Sequence, residues 1–333
     1  MPADALSFRR VSPLLKWAGG KRQLLATISA HYPERFTRYL EPFFGSGAVF
    51  FDLANRGALT DRRAELSDVN PDLVGCYRMV RDRTAEVVAA LARLEREHRR
   101  DGDACYYRVR DERFNPVRLT LLARGPEAAA GAYTPELAAM LIFLNRTGFN
   151  GLFRLNRQGA FNVPAGRYAA PRICDAAHVE AVADTFRRQG VTCTWRTFDA
   201  ALADAGPGDF VYCDPPYEPL SRTASFAHYT AGGFTMVDQR RLQQAVIGAA
   251  LRGACVIVSN SSAPAIVQEY ASAEARQAKL SIVRVAARRA INSRATSRGV
   301  VDELLISNVR PSLSAIRPSM LKVARPRTRR RIA

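Results

Sequence analysis

Lysine, histidine and tryptophan are scarce in this chain of 333 residues, which has four histidines and two tryptophans. Its six cysteines (Cys76, Cys105, Cys174, Cys193, Cys213 and Cys255) stand singly, with no C-x-x-C and no Cys/His cluster at metal-ligand spacing. That pattern excludes a disulfide-stapled framework and a zinc-type site, and predicts a reduced, metal-free, intracellular protein. No run of about 20 uninterrupted apolar residues occurs, and the first residues lack the apolar core of a signal peptide. A soluble cytoplasmic protein is therefore expected, with no membrane partner. Acid is missing from the carboxyl end: none follows Glu303, while from Arg310 the chain reads RPSLSAIRPSMLKVARPRTRRRIA.

Base is abundant instead. Lys+Arg total 49 against 31 Asp+Glu, a net charge of +18 that is nearly all arginine. Such a surplus favours a polyanionic partner, nucleic acid or an anionic membrane surface. A general bias toward arginine accounts for part of the excess but not for its uneven distribution, and the Pro- and Ser-containing end is expected to be a disordered, phosphate-contacting tail. Hydrophobic residues at 47% and charged residues at 24% are ordinary for a folded domain.

Short β-type runs alternate with helical patterns in two separated regions. RYLEPF (38–43) and AELSD (64–68) flank the helical AVFFDLANRG, and a helix starts at Pro71. VTCTWRTF, DFVYCD, ACVIVSNS, LSIVRVAARR and VDELLISNV continue the strands further on. The pattern predicts an α/β fold, a Rossmann-like, mostly parallel sheet covered on both faces. Between the two regions lie helical segments and the turn-rich TGFNGLFRLNRQGAFNVPAGRY, whose period-two halves around RQG predict a β-hairpin. Residues 1–80 and 176–310 are thus expected to form one domain, interrupted by a mainly helical insert at 81–175 and followed by the basic segment 311–333.

Three stretches carry chemistry. In EPFFGSGAVF, Gly45 and Gly47 lie between a strand and a helix, where a nucleotide-type cofactor sits, and Asp68 ends the next strand at the position from which a carboxylate takes ribose hydroxyls. Phe50 stands where a dinucleotide fingerprint needs its third glycine, so a cofactor without a pyrophosphate, such as S-adenosylmethionine, fits better. KWAGGKRQLL fails the spacing of a phosphate-binding loop, leaving Trp17 beside a cation at the sheet's edge. DFVYCDPPYEPL ends a buried strand on Asp214, and Pro215 and Pro216 then fix the backbone and remove two donors. Asp214, the Pro215 carbonyl and the flat ring of Tyr217 suit a planar group bearing an exocyclic amine, held by two acceptors that aim its lone pair at an electrophile.

KWAGGK, EPFFGSGAVFFDL, LSDVNPDLV, LNRTGFNGLFRLNRQGAFNVPAGRY, DFVYCDPPY and RGVVDELLISN, in that order from about Pro13 to Val309, resemble the Dam-like (alpha-class, D12) family of DNA adenine-N6 methyltransferases. The resemblance implies that Trp17, Lys21, Asp68 and Asp214 contact S-adenosylmethionine, with Gly45 and Gly47 shaping its pocket. It implies that Asp214, Pro215, Pro216 and Tyr217 hold an adenine flipped out of double-stranded DNA. It also implies a hairpin that reads the site: Arg154 on a guanine, Leu152 and Pro164 on a thymine methyl, Asn156 and Arg167 on bases or backbone, and Phe149 and Asn150 beside the orphaned partner base. A GATC-like palindrome, monomeric action on DNA and a nucleoid-associated location follow as expectations, and a restriction-endonuclease counterpart stays open. Phe153 and Phe161 are read as the insert's own core. Two departures stand out: phenylalanine at 149, where many relatives carry tyrosine, and YYRVRDERFN, one residue longer than the family pattern, which bears on a phosphate role for Arg110. The rival readings are an amino-methyltransferase acting on RNA or protein glutamine, and a DNA-binding regulator without catalysis.

Overall fold

The computed structural model describes residues 10–17, 19–188, 190–217, 233–288 and 300–311. The basic segment from 312 onward lies outside the described residues. Among the described residues seven strands form one sheet: β1 Arg38–Glu41, β2 Arg63–Asp68, β3 Val191–Trp195, β4 Asp209–Cys213, β5 Cys255–Ser261, β6 Ser281–Arg288 and β7 Val300–Ser307. Their order is β3-β2-β1-β4-β5-β7-β6. The first five pair in parallel with one another, whereas β7 runs antiparallel between β5 and β6. This is the doubly wound, Rossmann-like arrangement, with β1 and β4 side by side where the winding reverses.

β4 shows why the sequence folds this way. All five of its residues are buried. Phe210 and Tyr212 enter the core on one face, which continues into the helical insert, while Val211 and Cys213 enter the core on the other. A strand covered on both faces has no need to alternate apolar with polar residues. β1, expected to continue through Phe43, ends at Glu41, because Pro42 has no N–H to give to the ladder. The helix Pro71–Asp82 starts where Asn70 Oδ1 accepts the Asp72 N–H at 2.9 Å, with proline in its first turn. The helix Met236–Leu251 starts on a capping box between Thr235 and Asp238.

Between β2 and β3 the chain builds mainly helices, with Thr84–Asp101 and Pro135–Thr147 packed together. The long YYRVRDERFN stretch contains a π-helical turn at Val109–Phe114, a wider winding that takes up an extra residue within a continuous helix. The expected hairpin forms through two isolated bridges, Gly148↔Ala165 and Leu155↔Phe161, rather than a continuous ladder. Neighbouring helices supply the missing restraint. Asn115 behaves as a strand would, its Oδ1 accepting the Phe161 N–H at 2.8 Å and its Nδ2 donating to the Phe161 carbonyl at 2.9 Å. Arg118 pairs with Asp72 at 2.7 Å and donates to the Gly159 carbonyl at the hairpin tip.

Candidate active site

The parallel pairing of β1 with β2 and β4 brings three strand ends, and the acids on them, to one edge of the sheet. The chain leaving β1 turns sharply: Phe44 N–H reaches back to the Ser67 carbonyl at 3.0 Å, and Gly47 N–H closes on the Phe44 carbonyl at 2.7 Å. Gly45 (φ 50°) and Gly47 (φ 70°) lie in the left-handed region, where any other residue is strained. Space demands glycine too. A Cβ on Gly47 would lie 2.3 Å from the Phe44 ring, and one on Gly45 would lie 3.2 Å from Trp17 Cδ1.

Asp68 braces this turn, its Oδ2 accepting the Gly45 N–H at 2.9 Å and its Oδ1 the Asn70 N–H at 2.8 Å. Burial pushes its pKa up to about 6, against the pull of the N–H groups of Gly45, Asn70 and Val69. A carboxylate has about four lone-pair directions, so two N–H bonds leave room for ribose hydroxyls. The glycine turn cleared of side chains, the aromatic Trp17 against it and this acid fit an adenosyl group.

Asp214 follows β4 directly. Its Oδ1 is 2.8 Å from Lys21 Nζ, and Lys21 is only 4% exposed. The same ammonium donates to the Gly19 carbonyl at 2.6 Å and lies 4.7 Å from the centre of the Tyr217 ring. Burial pushes the Asp214 carboxyl up to about 6, with Lys21 opposing and Glu303 reinforcing the rise. Lys21 is thus drawn from a distant part of the sequence to the Asp214–Tyr217 stretch. Among the described residues no backbone N–H outside the regular elements bonds to the Pro215 carbonyl, while the Pro216 carbonyl accepts from Gln239 Nε2 at 2.9 Å.

The hairpin residues divide into exposed and committed groups. Phe149 is 47% exposed, and Asn150 beside it has φ 55°. The Phe149 N–H bonds to the Pro164 carbonyl at 2.9 Å, so these two residues are adjacent. Arg154 is exposed and held across the hairpin, Nε donating to Asn162 Oδ1 at 2.8 Å. Arg167 and Pro164 are exposed and Leu152 is half-buried. Asn156 Oδ1 is taken by the turn itself, accepting the N–H groups of Gln158 at 3.0 Å and Ala160 at 2.9 Å. Phe153 and Phe161 are buried core residues, and Phe153 stacks on Trp17 with ring centres 5.2 Å apart. Arg110 donates to the Val163 carbonyl at 2.9 Å and pairs with Asp111.

Several residues of the site escaped the sequence reading. Tyr217 donates its hydroxyl to Glu303 Oε2 on β7 at 2.7 Å. Gln239 is held in turn by Asn260 Nδ2, which donates to its Oε1 at 3.0 Å. Asn145 clamps the turn Phe149–Gly151 to the segment before Trp17: it exchanges bonds of 2.8 Å with both backbone groups of Lys16 and donates to the Gly151 carbonyl at 2.9 Å. Glu41 adds a third acid at the sheet edge, bonded by the Tyr39 hydroxyl at 2.8 Å, and burial pushes its pKa well up. Only Glu303 had a sequence signal, as the last acid of a basic chain.

Asp214 after β4 and the glycine turn after β1, braced by Asp68, thus lie at the same edge of the sheet. The chain belongs to the D12 class N6 adenine-specific DNA methyltransferase family, whose profile matches residues 17–291. It is 34% identical over 296 residues to a type II methyltransferase of Lactococcus lactis subsp. cremoris, covering 89% of this chain and 95% of that one. It is 36% identical over 292 residues to the DNA adenine methylase of Escherichia coli K12, covering 87% and 93% respectively. Among solved structures, the rRNA methyltransferase aviRa of Streptomyces viridochromogenes aligns over 85% of this chain and 84% of its own at 15% identity, with a TM-score of 0.29. The protein is therefore an adenine-specific DNA methyltransferase. Among the described residues no helix is long and apolar enough to cross a membrane, and no group of three or more His, Cys, Asp or Glu is placed to hold a metal ion.

Proposed function

We propose that the protein methylates the N6 amine of adenine in double-stranded DNA at a short palindrome of the GATC kind, with S-adenosylmethionine as donor, acting as a monomer. What carries this reading is the Lys21–Asp214 contact of 2.8 Å beside Tyr217: the Asp214 oxygen already accepts from a nitrogen donor, beside a flat ring and at the sheet edge that holds the glycine turn. Trp17, Lys21, Gly45, Gly47, Asp68 and Asp214 hold the cofactor in this reading. When bound, it supplies a methyl carbon on a positively charged sulfur.

The chain's own part is positioning. Ionised Asp214 and the Pro215 carbonyl take the two amine hydrogens, drawing the nitrogen lone pair out of the ring's conjugation and pointing it at the incoming carbon. The amine proton becomes acidic only as the new bond forms, so no strong base is needed. Pro216 contributes rigidity and Tyr217 a stacking face for the flipped base. Phe149 and Asn150 fill the space beside the partner base, Arg154 reads a guanine, Leu152 and Pro164 meet a thymine methyl, and Arg167 contacts bases or backbone. Asn156 serves the same surface by shaping its turn.

The test is methyl transfer from labelled S-adenosylmethionine to duplexes with and without GATC, and to RNA. Label in adenine of GATC duplexes alone is the expected result, and label confined to RNA overturns it. Asp214→Ala is expected to abolish transfer while leaving most DNA affinity, because the arginine surface is untouched.

A further inference from the structure

Glu303 lies on β7, paired with Ser261 on one side and Val285 on the other. It falls in the RGVVDELLISN stretch without having been given a role there, and its Oε2 accepts the Tyr217 hydroxyl at 2.7 Å. An anionic acceptor makes this a charge-assisted bond, about twice as strong as a neutral one. Tyr217 is thereby pinned at its far end, while its ring lies against the Lys21 ammonium, which in turn holds Asp214. The chain of contacts runs from β7 to the acceptor at the end of β4.

The acid at this place has a cost. Its negative charge lies near enough to Asp214 to oppose that group's ionisation, and the local cation is Lys21. A carboxylate that works against its neighbour's charge needs a reason to be there, and the Tyr217 hydroxyl supplies it. A phenol ring without that anchor is free to pivot about two side-chain torsions. Strand β7, antiparallel within an otherwise parallel neighbourhood, puts Glu303 within reach of the loop that leaves β4.

We propose that Glu303 is a positioning residue for methyl transfer: by holding the Tyr217 hydroxyl it fixes the ring on which the substrate base stacks. This rests on the reading that Asp214 to Tyr217 hold the base. Glu303→Ala is expected to lower kcat roughly ten- to hundredfold, the range expected for losing a hydrogen bond to a charged group, with KM for DNA within about twofold. Glu303→Gln keeps an acceptor oxygen and is expected to restore kcat to within about threefold of the parent.

Tyr217→Phe removes the same bond from the other side, so adding Glu303→Ala to it is expected to cost less than about twofold more. Should Glu303→Ala fail to fold, Tyr217→Phe and Glu303→Gln, which leave β7 intact, carry the test. The proposal is overturned if Glu303→Ala retains near-parental kcat, if Glu303→Gln is as impaired as Glu303→Ala, or if the two losses simply add. Tyr217→Ala separates this from the underlying reading. Unimpaired transfer by Tyr217→Ala defeats the base-stacking role itself, whereas impaired transfer there with a silent Glu303→Ala defeats only the positioning role.

Discussion

Replacing Arg118 with methionine tests how the hairpin of the insert is held. The Arg118 and Asp72 side chains are 4% and 2% exposed, and the Tyr133 hydroxyl at 3.3 Å is the other side-chain partner of that carboxylate. Removing one member of a buried pair costs about 3–5 kcal/mol, because the other is left charged and unpaired. Against a typical total of about 5–15 kcal/mol, that is a large part of the stability. Burial already pushes the Asp72 pKa up even with Arg118 beside it, so without the arginine the acid escapes by taking a proton. A raised folded pKa contributes stability that is present at low pH and lost as pH rises. The deficit of Arg118→Met in urea unfolding is therefore expected to shrink as pH falls toward the usual carboxylate range and to grow as pH rises.

Removing both charges with Arg118→Met and Asp72→Leu together is expected to recover most of the loss, to within about 1–2 kcal/mol of the parent. Site discrimination should not recover, since the Gly159 carbonyl at the hairpin tip has lost its donor. Competition between a target duplex and one altered at a single base measures this. A single variant within about 1 kcal/mol of the parent at pH 8, or a double variant as unstable as the single, would refute the reasoning.

Two further outcomes are expected. In the proposed role ionised Asp214 accepts an amine hydrogen, so kcat at saturating substrates should fall as pH drops through about 6, where burial has pushed its pKa; a flat profile across that range would remove it from that role. The stability linkage runs the other way: this raised pKa favours folding below about pH 4 and ceases to do so as pH climbs through the folded value. Gly47→Ala combines left-handed strain of about 1–2 kcal/mol with a methyl 2.3 Å from the Phe44 ring. That ring is packed edge-on against Phe50, Tyr77 and Phe186 and cannot swing away, so overpacking adds about 1–3 kcal/mol. An unchanged melting temperature would contradict this account of the turn.

What was legible in the chain was local. Glycines between a strand and a helix, Asp68 and Asp214 at strand ends, and proline after asparagine at a helix start are each signalled within a few residues. What was illegible depends on residues far apart. Tyr217 and Glu303 are separated by 86 positions and Asn145 and Lys16 by 129, and neither pair shares a pattern that links them. An apolar run predicts β7 but not its direction, which only its neighbours decide. Asn156 illustrates a different limit, because the same amide can reach a base or fold back onto the backbone two residues on. The separation of Phe149 from Phe153 and Phe161 was readable, since flanking glycines place the first in a turn while the others fall on the inward positions of the hairpin.

The way the chain leaves β2 and returns at β3 bears on how the molecule is made. These neighbours pair Ala64 with Val191, so their contact closes a loop of roughly 120 residues, and such distant pairings form slowly. During synthesis β2 has no β3 to pair with until nearly three-fifths of the polypeptide has emerged. β4, which brings the acceptor loop against β1, comes later still. A truncated product ending within the insert would carry the glycine turn but neither Asp214 nor Tyr217, the two side chains proposed to hold the base.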